Sequence, residues 1–175
     1  MSKKILISLF VLTIGLTSKS QNRSYIDSIK KQFVIINTDT AYQKIELEND
    51  EFMDYGTDRG GSLTGYFKNN EIKKIVEWIG ISNGYWITEY YYNQMQLIFA
   101  YKVFNLFLFN DSSTDFDYNK KPLKTFEARY YFNNKTLIDS TISKDNDSYN
   151  PDADDDFFTE SDKNVAVLTK KIKNK

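Results

Sequence analysis

The chain has 175 residues, with 23 basic and 24 acidic side chains and neither cysteine nor histidine. Without histidine it lacks Ser-His-Asp and Cys-His nucleophile activation, imidazole general bases and the common zinc and copper sites. Its three arginines are scattered, so nucleic acid is not an expected partner. The 13 phenylalanines, 13 tyrosines and two tryptophans favour a β-rich fold, because flat rings fit a pleated sheet.

The first 20 residues have the order of a secretory signal peptide. Lys3 and Lys4 give a positive start, residues 5–16 are almost unbroken apolar sequence, and residues 17–20 are small or polar. Such a run reaches only about 18 Å as a helix, against roughly 30 Å of membrane hydrocarbon. We therefore expect residues 1–20 to be cleaved and residues 21–175 to be exported, to the periplasm or beyond, as one β-rich domain without a transmembrane span. The alternative is an uncleaved anchor or a buried N-terminal strand.

A helix is predicted over residues 25–36. Ser24 and Asp27 resemble a capping box at its start. Apolar side chains recur within it at steps of three and four residues: Ile26, Ile29, Phe33 and Ile36. Residues 41–47 alternate between apolar and polar side chains, but so short a segment fits either a strand or a helix. Residues 54–61 contain three glycines and are predicted to form a loop.

From residue 62 onward, β-rich runs alternate with turn residues, which indicates an antiparallel meander. The predicted strands are residues 63–67, 72–81, 85–92, 97–109, 125–132 and 136–143. The predicted tight turns are Asn69-Asn70, Asn83-Gly84, Gln94-Met95 and Asn133-Asn134. Asn83-Gly84 is the strongest hairpin dipeptide among them.

Two longer loops and a terminal helix complete the prediction. Residues 110–122 form a polar loop, residues 144–156 an acidic loop, and residues 157–172 a short helix. One side of this helix carries Phe158, Ser161, Val165 and Leu168. The predicted fold class is therefore α+β, dominated by an antiparallel meander of about six strands with a helix at each end.

Three segments of seven residues align without gaps: residues 66–72, 91–97 and 131–137. Each consists of an aromatic pair, a polar turn and an aliphatic residue. We interpret them as one hairpin unit used three times, in which a ring packs near the aliphatic residue that opens the next strand. Ordinary hairpin sequences also generate this pattern by chance, and the sequence leaves both interpretations open.

The first copy, Tyr66-Phe67-Lys68-Asn69-Asn70-Glu71-Ile72, resembles the tyrosine-tyrosine-x-asparagine-glycine-x-leucine hairpin of MORN-variant repeats. Such repeats also occur in small exported bacterial proteins of unassigned role, where a helix precedes the hairpins. The turn glycine of that family is Asn70, Met95 and Asn134 in the three copies, which start 25 and then 40 residues apart. The resemblance implies a scaffold or interaction role and no catalytic residue.

Aromatic residues crowd the predicted strand of residues 85–92: Tyr85, Trp86, Tyr90, Tyr91 and Tyr92. Alternation along the strand divides these rings between its two faces. If both faces are covered, the rings belong to the core. If one face stays open, they form a platform for a glycan or an extended peptide. We therefore expect a non-enzymatic binding domain, with an inhibitor or immunity-type protein that binds a protein partner as the alternative.

Carboxylates in the predicted strands suggest a further alternative, glycoside hydrolysis. The residues are Glu77, Glu89 and Glu127, and two carboxylates at a suitable separation are what this reaction requires. An ion pair between Glu89 and Arg129 explains one of these carboxylates equally well, because both residues lie two positions before an aligned tyrosine.

The acidic loop is a candidate calcium site. Asp145, Asp147 and Asp156 offer hard oxygen ligands at the spacing of positions 1, 3 and 12 of a calcium loop. A solvated loop that leads into a helix start, where negative charge is favourable, is the alternative. No other cofactor is expected.

Overall fold

A computed structural model of the chain describes residues 3–110, 115–144 and 156–173, with side chains from residue 21 onward. The chain forms two compact units, residues 1–38 and residues 39–175.

The first unit is a single helix, α1 (Lys3–Thr38). It includes the predicted helix of residues 25–36 but begins well before it, so Ser24 and Asp27 lie inside the helix and do not cap it. The expected start was wrong because no proline interrupts residues 3–38 and helical backbone continues through the apolar run. Among the side chains of α1 that the structure describes, Ile29 and Ile36 are buried, in agreement with the predicted stripe.

At the end of helix α1, side chains bond back to carbonyls of the preceding turn. The amide of Asn37 donates to the Phe33 carbonyl at 3.0 Å, and the Thr38 hydroxyl donates to the Val34 carbonyl at 2.9 Å. Over the residues that the structure describes, neither helix has the length and apolar content needed to cross a membrane.

The second unit is an antiparallel sheet followed by a helix. Its seven strands are β1 (Gln43–Glu48), β2 (Gly61–Lys68), β3 (Glu71–Ile81), β4 (Gly84–Asn93), β5 (Gln96–Leu106), β6 (Leu123–Asn133) and β7 (Thr136–Lys144). Each strand pairs with the next one along the chain, so the sheet is a simple meander. A short 3-10 helix (Asn49–Glu51) follows β1, and helix α2 (Phe157–Lys173) follows the sheet. The predicted α+β class and antiparallel meander are confirmed.

The sheet has one strand more than the six expected, because residues 41–47 contribute β1. The short alternating pattern fitted either a strand or a helix. The pairing of this segment with β2 and the burial of Ile45 and Leu47 show that it is a strand. The predicted strand of residues 97–109 is too long, since β5 ends at Leu106. Phe109 instead forms an isolated bridge with Phe116.

The three aligned segments share one backbone geometry. In each hairpin the strand register shifts within the aromatic pair, at positions 66/67, 91/92 and 131/132. In each, the two turn residues have positive φ: Asn69 and Asn70, Gln94 and Met95, Asn134 and Lys135. The third turn lies one residue later than predicted, because Asn133 still pairs with Thr136. The repeated hairpin unit is confirmed as a structural repeat.

The predicted turn at Asn83-Gly84 is wrong by one residue. The turn uses Ser82 and Asn83, while Gly84 is already part of β4 and pairs with Ile81. A Cβ atom on Gly84 would lie 2.3 Å from the Asn105 carbonyl oxygen. The glycine is therefore required by the close approach of β5 and not by the turn conformation.

Helix α2 covers one face of the sheet, which we call the α2 face. Buried side chains from the strands meet Phe157 and Leu168 of α2 there: Ile45, Leu63, Ile75, Tyr90, Ala100 and Phe132. Gly65 allows the helix to approach β2, since a Cβ atom there would lie 2.9 Å from Leu168 Cδ1. The predicted helix of residues 157–172 is confirmed, and of its predicted side Ser161 and Leu168 are buried.

Candidate functional site

The meander places different connections at the two ends of the sheet. One end, the short-turn end, carries the turns at residues 69–70, 94–95 and 134–135. The other, the long-loop end, carries residues 49–60, 107–110 and 115–122, the Ser82-Asn83 turn and the C-terminal end of β7. Residues 111–114 and 145–155 lie outside the described part of the chain. Long loops held by a rigid sheet are common places for binding residues, so the long-loop end is the region to inspect.

Arg59 lies between two aromatic rings at the long-loop end. Its guanidinium carbon is 4.9 Å from the ring centroid of Phe107 and 4.5 Å from that of Tyr118. Its Nη2 atom also donates a hydrogen bond to the Tyr118 hydroxyl. These are cation–π distances, so the planar side chain of Arg59 joins two loops that are far apart in sequence.

Glycines in β3 and in the 49–60 loop position Arg59. The Gly80 amide donates to the Gly60 carbonyl at 2.9 Å, which fixes the loop against β3. A Cβ atom on Gly80 would lie 2.6 Å from Cβ of Arg59 and 2.6 Å from the Trp78 ring. The absence of a side chain at Gly80 therefore lets Arg59 lie over the strand.

Further rings extend this contact across the end of the sheet. The ring of Tyr85 lies 5.8 Å from those of Trp78 and Phe107, and Phe109 stacks on Phe116 at 4.6 Å. We call the whole set the arginine–aromatic cluster: Arg59, Trp78, Tyr85, Phe107, Phe109, Phe116 and Tyr118. Phe109 and Tyr118 keep 58% and 57% of their surface exposed. Large rings this open are candidate contact residues.

A cleft of about 530 Å³ adjoins the cluster and is lined by residues of the 49–60 loop. Arg59 belongs to its lining, as does Tyr55, which is 79% exposed. Two ion pairs tie this loop to α2: Lys163 Nζ lies 2.6 Å from Asp54 Oδ2, and Lys171 Nζ lies 2.6 Å from Glu51 Oε1. The loop is thus attached to both the sheet and the helix.

A second, smaller cleft of about 270 Å³ lies between β3, α2 and the same loop. The partly buried carboxylate of Glu77 lines it and accepts hydrogen bonds from the Tyr90 hydroxyl at 3.3 Å and from Asn164 Nδ2 at 3.5 Å. Burial raises the pKa of Glu77 and the negative charge of Glu160 adds to this, while the two hydrogen bonds oppose it. We call this the Glu77 cleft.

The structure does not bring the five predicted platform rings onto one surface. Tyr90 and Tyr92 are 3% exposed, and Tyr91 is 1% exposed. Trp86 lies on the α2 face, 4.7 Å from the Phe104 ring and under Lys102 Nζ at 4.9 Å. Of the five, Tyr85 alone belongs to the arginine–aromatic cluster, and the burial of residues 90–92 agrees with the core interpretation.

The three predicted carboxylates are also divided between the faces. Glu77 lies on the α2 face, whereas Glu89 and Glu127 lie on the opposite face. Glu89 pairs with Lys74 Nζ at 2.9 Å, and Glu127 pairs with Arg129 Nη2 at 2.6 Å. The expected ion pair between Glu89 and Arg129 is wrong, because β5 lies between their strands and places Tyr101 opposite both residues.

Tyr101 and Glu127 form a hydrogen-bonded pair on that opposite face. The Tyr101 hydroxyl donates to Glu127 Oε1 at 2.7 Å, and Lys124 Nζ lies 2.8 Å from Oε2. The bonds from Lys124 and Tyr101 lower the pKa of Glu127 to about 2. Burial and the neighbouring carboxylate raise the pKa of Tyr101 to about 12. Glu127 therefore stays ionised at any physiological pH.

Of the predicted calcium ligands, Asp145 and Asp147 lie outside the described residues. Asp156 accepts hydrogen bonds from the Thr159 amide at 3.1 Å and from its hydroxyl at 2.5 Å, as expected of a residue that caps α2. In the part of the chain that the structure describes, no three acidic side chains are grouped to hold a metal ion. Calcium binding stays a prediction.

The sequence interpretation missed the rings of the 107–118 segment because it treated most of that segment as a polar loop. Phe107, Phe109, Phe116 and Tyr118 within a few residues of one another were the signal, since solvent-exposed loops rarely carry so many rings. Comparison of the chain with protein-family models, with curated proteins and with solved structures finds no match, so its function has to be argued from the site itself.

Proposed function

We propose that this protein is an exported, non-enzymatic binding domain that holds a glycan against the arginine–aromatic cluster. The observation that carries the proposal is the exposure of Phe109 and Tyr118 beside an arginine that is already oriented between two rings. The apolar face of a sugar ring packs on such aromatic side chains.

The chemistry of the cluster supports a polar ligand better than a purely apolar one. Arg59 has five N–H donors in a rigid fork, and the Tyr118 hydroxyl both donates and accepts. Stacking between Phe107 and Tyr118 restricts the guanidinium before any ligand arrives. Less conformational entropy is then lost on binding. The adjacent 530 Å³ cleft provides the concave space that a glycan chain needs beside a stacking surface.

Export is part of the proposal, because the polysaccharides of a cell envelope lie outside the cytoplasm. Its support is the signal-peptide pattern of residues 1–20. Mass spectrometry of the protein from its native cells is expected to find a mature chain that begins at Gln21. Recovery of the uncleaved chain from the cytosol would contradict this part.

The two tryptophans provide a direct test of glycan binding. Trp78 belongs to the cluster, whereas Trp86 packs on the other face against Phe104. Titration with cell-wall oligosaccharides should therefore change tryptophan emission in the Trp86→Phe variant and leave emission of the Trp78→Phe variant unchanged. Tyr118→Ala should weaken binding about tenfold, through lost stacking and a lost partner for Arg59.

Leu137→Ala is the matched control, because Leu137 is 50% exposed but lies at the short-turn end. It should leave the affinity unchanged. A panel of oligosaccharides that produces no change in emission from Trp78 would contradict the proposal. In that case the alternative of a protein partner at the same cluster gains support.

A further inference from the structure

We infer a second binding site, for a primary alkylammonium group, in the Glu77 cleft. This site lies on the α2 face. It shares residues 53–55 and Thr57 with the larger cleft beside the arginine–aromatic cluster, whereas Glu77, Ile79 and Asn164 line the Glu77 cleft and not the larger one. Its ligand is the amine of a small molecule or the side chain of a lysine in a peptide, which share the same cationic end and aliphatic stem.

The size of the cleft limits the ligand to a short chain. At about 270 Å³ the cleft is smaller than the range of roughly 300–1,000 Å³ typical of sites for drug-sized molecules. Its walls include the apolar side chains of Phe52, Met53 and Ile79, and its polar groups come from Glu77, from α2 and from the 49–60 loop. An aliphatic stem can therefore contact the walls while a charged end reaches the carboxylate.

The charge inside the cleft favours a cation. Glu77 makes no ion pair with the residues that the structure describes, and its two hydrogen bonds are long. Lys163 is engaged with Asp54 at 2.6 Å. Lys102 lies two strands away on the α2 face, with its Nζ over the Trp86 ring. Three acidic residues line the cleft, Asp54, Glu77 and Glu160, against one basic residue, Lys163, and Lys102 acts on Glu77 from outside the lining. An incoming ammonium would therefore meet a net negative potential.

Asn164 supplies a second polar group to the cleft. It is 2% exposed and lines the cleft, and its one hydrogen bond within the described residues is the 3.5 Å bond from Nδ2 to Glu77. Its side-chain carbonyl oxygen accepts no hydrogen bond from these residues and is available to a ligand donor. An ammonium group carries three N–H donors and can bond to this oxygen and to the Glu77 carboxylate together.

An organic cation fits the cleft better than a metal ion. Hard cations such as calcium take six to eight oxygen ligands, whereas the lining includes an aromatic ring and a thioether. Within the described residues no set of three acidic side chains is arranged for a metal. Contacts with Phe52, Met53 and Ile79 would contribute to the binding of an alkyl stem but nothing to that of a bare ion.

The methionines allow the site to be observed directly. Of the three in the chain, Met53 lines both the Glu77 cleft and the larger cleft, so the Glu77 variant below assigns its shift to one of them. Met95 lies in a turn at the short-turn end with 53% of its surface exposed. In the full chain labelled with ¹³C at the methionine methyl groups, n-butylammonium should shift the Met53 resonance and leave that of Met95 in place. The neutral n-butanol should cause no saturable shift.

Two glutamate variants separate the site from general electrostatics. Glu77→Gln should weaken n-butylammonium binding about tenfold or more, because a charge-assisted hydrogen bond is lost. Glu89→Gln removes the same charge from the opposite face and should leave the affinity unchanged. A Met53 shift that persists in Glu77→Gln, or that n-butanol reproduces, overturns the inference. Circular dichroism of both variants checks that they are folded.

The source of the amine is distinguished by a second probe, Nα-acetyl-lysine methylamide. Saturation of the Met53 shift by this probe assigns the site to lysine side chains, and saturation by n-butylammonium alone assigns it to free amines. Failure of both probes overturns the inference. None of these outcomes bears on the glycan surface, whose readout is emission from Trp78.

Discussion

At the short-turn end of the sheet, three turns repeat one backbone geometry, whereas at the long-loop end the connections differ in length and touch residues far away in sequence. Each short turn is closed by residues within a single hairpin, such as Phe67 paired with Ile72. At the long-loop end, Arg59 contacts a residue 59 positions away, and the ion pair of Lys171 with Glu51 joins residues 120 positions apart. The scaffold thus depends on local sequence, and the candidate sites depend on tertiary contacts.

The largest expected difference between the two ends is in the stability contributed by a phenylalanine. Phe132 is 2% exposed and packs against the rings of Phe157 and Phe158, at 5.8 and 5.0 Å. Phe132→Ala should lower the free energy of unfolding by about 3–5 kcal/mol in urea denaturation, because it leaves a cavity. Phe109→Ala makes the same chemical change at a 58% exposed ring and should cost no more than about 0.5 kcal/mol. Equal losses would show that the long-loop end is part of the core.

A smaller effect is expected at Gly60, which holds the 49–60 loop in place. Gly60 has a φ of 71°, and a Cβ atom there would lie 2.4 Å from Asn49 Oδ1. That oxygen accepts a hydrogen bond from the Gly61 amide at 3.0 Å. Gly60→Ala should therefore cost about 1–2 kcal/mol in the same denaturation assay. Gly56→Ala, where a Cβ atom meets nothing within 4 Å, is the control and should have little effect.

At the short-turn end, a substitution to glycine should raise the free energy of unfolding instead of lowering it. Met95 is the second turn residue of its hairpin and has a φ of 64°. Residues other than glycine and asparagine tolerate this left-handed conformation poorly. Met95→Gly should therefore stabilise the protein by about 1 kcal/mol. At the equivalent position, Asn70→Gly should give less, because asparagine already tolerates this conformation. A destabilised Met95→Gly would mean that the methionine side chain contributes contacts outweighing the backbone strain.

The smallest expected effect concerns the pH dependence of stability at the Glu77 cleft. The pKa of Glu77 is raised above its ordinary value of 4.5, so between these two pKa values the folded protein binds more protons than the unfolded chain. Its contribution to stability therefore falls as pH rises through this interval. Glu77→Gln should raise the free energy of unfolding at about pH 8 by about 1 kcal/mol or less in urea denaturation, and the gain should vanish near pH 4. A variant that is less stable than the parent at pH 8 would show that the ionised carboxylate stabilises the fold.

The difference between local contacts at the short-turn end and tertiary contacts at the long-loop end explains how much of the molecule could be predicted from sequence. The hairpins were predictable because an aromatic pair, turn residues and an aliphatic residue lie within seven positions. Errors of one residue at Asn83-Gly84 and Asn133-Asn134 arose because several adjacent residues suit a turn and only cross-strand pairing selects among them. The Glu77 cleft and the arginine–aromatic cluster could not be predicted, because β3, α2 and two loops converge there through contacts that no local pattern records.

The repeated hairpin has a consequence for how a protein of this kind can change in size. Each unit contributes two strands, and its first and last residues both lie at the long-loop end of the sheet, opposite its own turn. Duplicating or deleting one unit would therefore widen or narrow the sheet while every remaining long connection kept its side. The architecture permits growth by whole modules, with the loops at the long-loop end free to diverge independently of the number of strands beneath them.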